Sequence, residues 1–101
     1  MAMVTHTHGD MLAQTRVKAK ANFEEVITLH AEIEAVDMTL PGSGMGLVQL
    51  RQVCQANFDE MLDPVNGILP TPTGLEVIGD GDMLWELRRK LNVNFALIAV
   101  A

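Results

Sequence analysis

The chain has 101 residues, enough for one domain of modest size, and its 13 acidic against 7 basic side chains leave a net charge of -6. Apolar residues at 49% and charged residues at 20% make a globular composition, and a single Cys excludes both a disulfide framework and a cysteine-built zinc site. The acidic surplus opposes free-standing nucleic-acid binding, which draws its affinity from cations placed on phosphates.

No basic leader with an apolar core opens the sequence, and the longest apolar run, residues 95–101, is far too short to span a bilayer. The expectation is a small acidic domain in the cytoplasm. Residues 1–9, which hold His6 and His8, read as a flexible tail before a single helical domain over 10–101.

From Asp10 to Leu40 there is neither Gly nor Pro, which predicts one long helix over 10–40, capped by Asp10 and stopped by Pro41-Gly42. Leu12, Ala19, Val26, Ile33 and Leu40 recur every seven residues, and Leu29 and Val36 add the alternate line. Thr15 and Asn22 interrupt that line in its first half. A Gly-rich turn follows, with Ser43 placed as an N-cap. Leu47, Leu50, Cys54, Phe58 and Met61 then step by three and four, predicting a second helix over 44–63. Residues 64–81 are rich in Pro and Gly and form a long connection, with Leu75 to Ile78 as a short strand. Asp82 caps a third helix over 82–100, whose inner side is Leu84, Leu87, Leu91, Phe95 and Ile98; local propensity also admits a strand after Asn92.

An internal regularity favours helix there. Each Phe is preceded by Asn and, seven residues upstream, by Arg: Arg16 with Asn22-Phe23, Arg51 with Asn57-Phe58, Arg88 with Asn94-Phe95. Seven residues are nearly two helical turns, so Arg and Phe share one side of each helix. The pattern fits a Phe anchor, an Arg stem laid along it and an Asn at the core edge, and it admits descent from one ancestral helix.

The chemistry-bearing side chains form no familiar catalytic pattern. Ser43 sits in Gly-Ser-Gly without the outer glycine of a nucleophile elbow, and Gly42, Gly44 and Gly46 lack the strand before and the Lys after that a phosphate loop needs. His6 and His8, His30 with Glu34, and Asp80 with Asp82 and Glu86 are each too few for a metal centre, and Cys54 falls on the inner side of its helix. No catalytic residue, metal ligand or cofactor follows from these residues.

The sequence therefore predicts an all-α, three-helix up-down bundle whose first helix outreaches the other two. The uncovered stripe, Val26, Leu29, Ile33, Val36 and Leu40, is the expected dimer or partner interface. The expected role is a non-enzymatic protein-protein interaction module, such as an adaptor, small chaperone or regulator. The alternatives are a DNA-binding regulator using Arg88, Arg89 and Lys90 of the third helix, and a small-ligand sensor with the 64–81 loop over a pocket beside Trp85.

Overall fold

The computed structural model describes residues 3–29, 38–62 and 74–99. Among these residues there are three helices, α1 (Leu12–Leu29), α2 (Leu47–Met61) and α3 (Leu84–Ala99), packed as an all-α bundle. Four residues of each helix point inward at steps of four, four and three: Thr15, Ala19, Phe23 and Val26; Leu50, Cys54, Phe58 and Met61; Leu87, Leu91, Phe95 and Ile98. Those steps trace one stripe of a 3.6-residue helix, so each helix has a single face to bury. The stripes meet level by level, and at the middle level the three Phe rings close a triangle with centroids 4.9, 5.3 and 5.4 Å apart in tilted and edge-on arrangements. Rings at this spacing attract edge to face in addition to burying area.

The arginines set the direction of packing. Arg16 donates to the carbonyl of Met45 at 2.6 Å, Arg51 to that of Asp82 at 2.8 Å, and Arg88 to that of Asp10 at 2.5 Å. Each Arg lies in the second turn of its helix and reaches the residues just before the next helix, and the third closes the ring back to the first. With the starts together at one end and the three Phe together about 10 Å further along, all three helices run in the same sense around a pseudo-threefold axis. The up-down order expected from the sequence is corrected here: periodicity identifies a buried face and says nothing about which way a helix points.

Helices of one sense need return segments, and these explain the long connections. Residues 38–46 and 74–83 come back beside α2 and α3 as non-helical segments that turn at 43–44 and 80–81, and residues 3–11 do the same beside α1 with a turn at 8–9. Three asparagines hold them. Asn22 accepts from the Val4 N–H and donates to the Val4 carbonyl, Asn57 makes the same pair with Thr39, and Asn94 with Glu76, all at 2.6–3.0 Å and each across 18 residues. An Asn amide has one acceptor and two donors and can bracket one residue's backbone like a neighbouring strand. All three are buried, and all are satisfied.

Three expectations change accordingly. Residues 3–9 are a packed arm and not a loose tail, since Val4 and His6 are bracketed through their backbones and Met3 packs on the core. The first helix does not reach residue 40, because Met38 to Leu40 already belong to the extended segment beside α2. The stretch Leu75 to Ile78 is extended but is not a strand, its backbone being held by Asn94 and Gln55 side chains. The region after Asn92 is helical to Ala99, as the Arg-Asn-Phe pattern suggests.

The helix caps also differ from expectation. Gly46 is the N-cap of α2, and its N–H is accepted by Gln49 at 2.9 Å; Gln14 and Glu86 accept from Met11 and Met83 in the same way, 3.0 and 3.1 Å. Each is the returning half of a capping box. Ser43 lies in the turn, and Asp10 and Asp82 lie one residue ahead of the cap positions, facing backwards.

Candidate functional site

Three of the expected interface residues fall among the described ones. Val26 is fully buried in the core of the chain itself, Leu29 is the last described residue of α1, and Leu40 is off the helix and packs half-buried against the core. Ile33 and Val36, like His30 and Glu34, lie outside the described residues. The inner face of α1 is instead rotated onto Thr15 and Phe23. Thr15 is tolerated there because its hydroxyl donates to the Met11 carbonyl one turn back, at 2.9 Å.

The basic run of α3 is engaged within the chain. Arg88 spans to the Asp10 carbonyl, Arg89 pairs with Glu76 at 2.8 Å, and Lys90 pairs with Asp82 at 2.7 Å. Lys18 and Asp10 repeat that last contact at 2.7 Å. The Lys ammonium beside each Asp, with backbone N–H groups of Thr7 and Gly79 added, lowers both carboxyls from their ordinary value, Asp10 well below the usual carboxylate range. At the corresponding place in the second repeat Met45 and Val53 stand where Asp and Lys would be. The ion pair is thus present or absent as a unit, a signal legible in the sequence as an Asp eight residues ahead of a Lys.

The other chemistry-bearing groups are sequestered. Cys54 is fully buried, and burial pushes its thiol up to about 12. His6 is only 4% exposed with neither ring nitrogen hydrogen-bonded, and burial, together with Lys18 and Arg88, outweighs Asp10 and lowers it to about 4. Among the described residues no three His, Cys, Asp or Glu side chains converge to hold a metal ion.

Two surface features remain. Shallow clefts open between one repeat's helix and the next repeat's extended segment. One, of about 420 Å³, is floored by Ala13, Arg16, Val17 and Lys20 of α1 and walled by residues 41–43. The other, of about 340 Å³, has Trp85, Arg88, Arg89 and Asn92 of α3 facing His6, Thr7 and His8. The cleft beside Trp85 is walled by the N-terminal arm, and residues 64–73 of the loop expected over it lie outside the described residues. The second feature is apolar. Met11, Val48 and Met83, at the helix starts that the three arginines draw together, are 67%, 55% and 60% exposed. Sequence reasoning missed this rim because it took 10–40 as one helix and so placed Met11 inside its first turn.

No helix among the described residues is long and apolar enough to cross a membrane. Comparison of the chain with protein-family models, with curated proteins and with solved structures finds no match.

Proposed function

We propose that this chain is a non-enzymatic helical interaction module that works in the cytoplasm and self-associates as a homodimer through the rim of its helix starts. The observation that carries the reading is the exposure of Met11, Val48 and Met83 at one end of the bundle. Methionine adapts to irregular partner surfaces, and several large apolar side chains at one end are costly to leave in water. The role given to a long helical seam passes to this rim, because Val26 is buried in the chain's own core and Leu40 lies off the helix. A second copy is the simplest occupant, two-fold dimers being the commonest assemblies. The burial of Cys54 and the pairing of Asp10 and Asp82 with lysines support a binding role over a catalytic one.

Light scattering tests the reading with the double substitution Met11→Asp and Met83→Asp. Both residues immediately precede a helix, where Asp is a favourable N-cap, so the variant keeps or gains helix stability while placing two carboxylates in the interface. The wild type should show twice the 11.0 kDa of one chain and the variant 11.0 kDa. A wild type that is monomeric at about 100 μM, where only contacts weaker than roughly 5–6 kcal/mol would escape, overturns the proposal.

A further inference from the structure

The pseudo-threefold axis supplies an internal control for the cleft between α3 and the N-terminal arm. Its wall and floor occupy the same repeat positions as the cleft between α1 and residues 41–43. The fold is satisfied by Ala13, Val17, Pro41 and Ser43 at four of those positions. At the same four the other cleft carries Trp85, Arg89, His6 and His8. Since the scaffold does not require these side chains, their convergence in one cleft marks specialisation, and departures from a local rule concentrate at functional sites.

The chemistry is that of an anion site with an aromatic floor. No Asp or Glu lines the cleft, although the chain holds 13 of them. Arg88 commits one Nη to the Asp10 carbonyl and keeps its remaining N–H groups; Arg89 is held by Glu76 in a half-exposed pair of the kind that costs little to exchange. Trp85 presents its ring 59% exposed, a flat apolar surface beside the two guanidinium groups. His6 stands where the other repeats place Pro41 and Ile78, with two unpartnered ring nitrogens in a buried position. An imidazole left without partners there is a cost to the fold with no return inside it.

We propose that this cleft binds a small aromatic oxyanion, its ring stacked on Trp85 and its carboxylate or phosphate taken by Arg88 and Arg89. A volume of about 340 Å³ falls at the small end of ligand sites. Carboxylate and phosphate oxygens both match the guanidinium fork, and Arg89, which stands where the other cleft has Val17, adds a second fork beside the repeat-constant Arg88. The site shares no residue with the apolar rim, and Arg89→Gln leaves Met11, Val48 and Met83 unchanged, so the two assignments are tested by different variants.

Trp85 is the single Trp of the chain, and its emission reports directly on the cleft. Titration with four probes separates the contributions: benzoate, phenyl phosphate, benzyl alcohol as the neutral ring, and inorganic phosphate as the anion without a ring. A saturable change with benzoate or phenyl phosphate, at least about tenfold tighter than with either control, is expected. Whichever of the two binds more tightly identifies the head group. Arg89→Gln should weaken binding by about tenfold or more with an unchanged circular dichroism spectrum, while Lys20→Gln in the equivalent cleft should not alter it. NMR should show the His6 ring titrating at higher pH in the bound state, because a nearby anion favours imidazolium. Equal affinity for benzyl alcohol and benzoate, no saturation by about 10 mM, or an unaltered affinity in Arg89→Gln overturns the assignment.

Discussion

Replacing His6 with Ile, the residue that repeat three carries at the same place, should make the protein more stable, and increasingly so as the pH falls. His6 is buried in the arm that closes the ring against α3, facing Asp10, Lys18 and Arg88, with both ring nitrogens unpartnered. A buried polar group without a partner costs about 1–3 kcal/mol, so Ile is worth roughly that at pH 7.5, less any misfit of its shape. The pH term is of similar size. Folding lowers the His6 pKa from 6.5 to about 4, so the unfolded chain takes up the proton first. His6 therefore costs no proton-linked stability above pH 6.5; the loss grows as pH falls from 6.5 to 4 and is constant below. With each pKa unit worth ~1.4 kcal/mol, the loss is about 2 kcal/mol at pH 5 and about 3 kcal/mol below pH 4. Asp10 does not confound this window, because Lys18 keeps its carboxylate ionised to far lower pH. Urea unfolding of wild type and His6→Ile at pH 7.5 and pH 5, followed by circular dichroism, measures both terms, and carboxylate contributions common to the two proteins cancel. The stability difference should widen by about 2 kcal/mol at the lower pH. Profiles that run parallel between the two pH values would refute the placement of a neutral imidazole at this position.

Two further outcomes follow from the packing. Asn57→Ala removes both hydrogen bonds to Thr39, 2.9 and 2.8 Å, at a site that is 1% exposed, and leaves an N–H and a carbonyl without partners. The expected loss is about 2–4 kcal/mol in urea unfolding, and a loss below about 0.5 kcal/mol would mean that the segment beside α2 does not depend on the bracket. Cys54, fully buried and with its thiol raised to about 12, should react with an aromatic disulfide reagent far more slowly in the native state than in urea. Equal rates would place Cys54 outside the core.

Several parts of this arrangement were legible without coordinates. The inner faces of α2 and α3 follow from apolar steps of three and four. The Arg-Asn-Phe recurrence marks three equivalent helices and selects helix over strand after Asn92. Superposing the repeats on the structure adds Gly9, Gly44 and Gly81 in the turns and Leu12, Leu47 and Leu84 at the helix starts to the recurring residues. The first helix misled because two true signals overlap there: its buried stripe includes Thr15, Asn22 and Phe23, while the seven-residue series through Leu40 runs on into a segment that is extended. A polar residue in a buried stripe can be satisfied by a partner that a one-dimensional pattern does not reveal. Thr15 uses the Met11 carbonyl in its own helix, and Asn22 uses the backbone of Val4, 18 residues away.

The sequence by itself determined which residues α2 and α3 would bury, because the helical period is a local property and needs only the spacing of apolar side chains. It also determined that three similar units would be made, since the same Arg, Asn and Phe recur in the same local geometry. The direction of the helices, the return of each connection along its own helix and the closure of repeat three onto repeat one were decided only by tertiary structure. The returns rest on Asn side chains bonded to backbone 18 residues away, and the direction and closure on hydrogen bonds that cross from one unit to another, Arg88 to Asp10 across 78 residues and Asn92 to His6 across 86. An Arg or an Asn carries the capacity for such a bond wherever it stands, but which backbone group accepts it depends on where the folded chain brings that group. The cleft beside Trp85 has the same origin: its two walls lie at opposite ends of the chain and meet because the ring closes there.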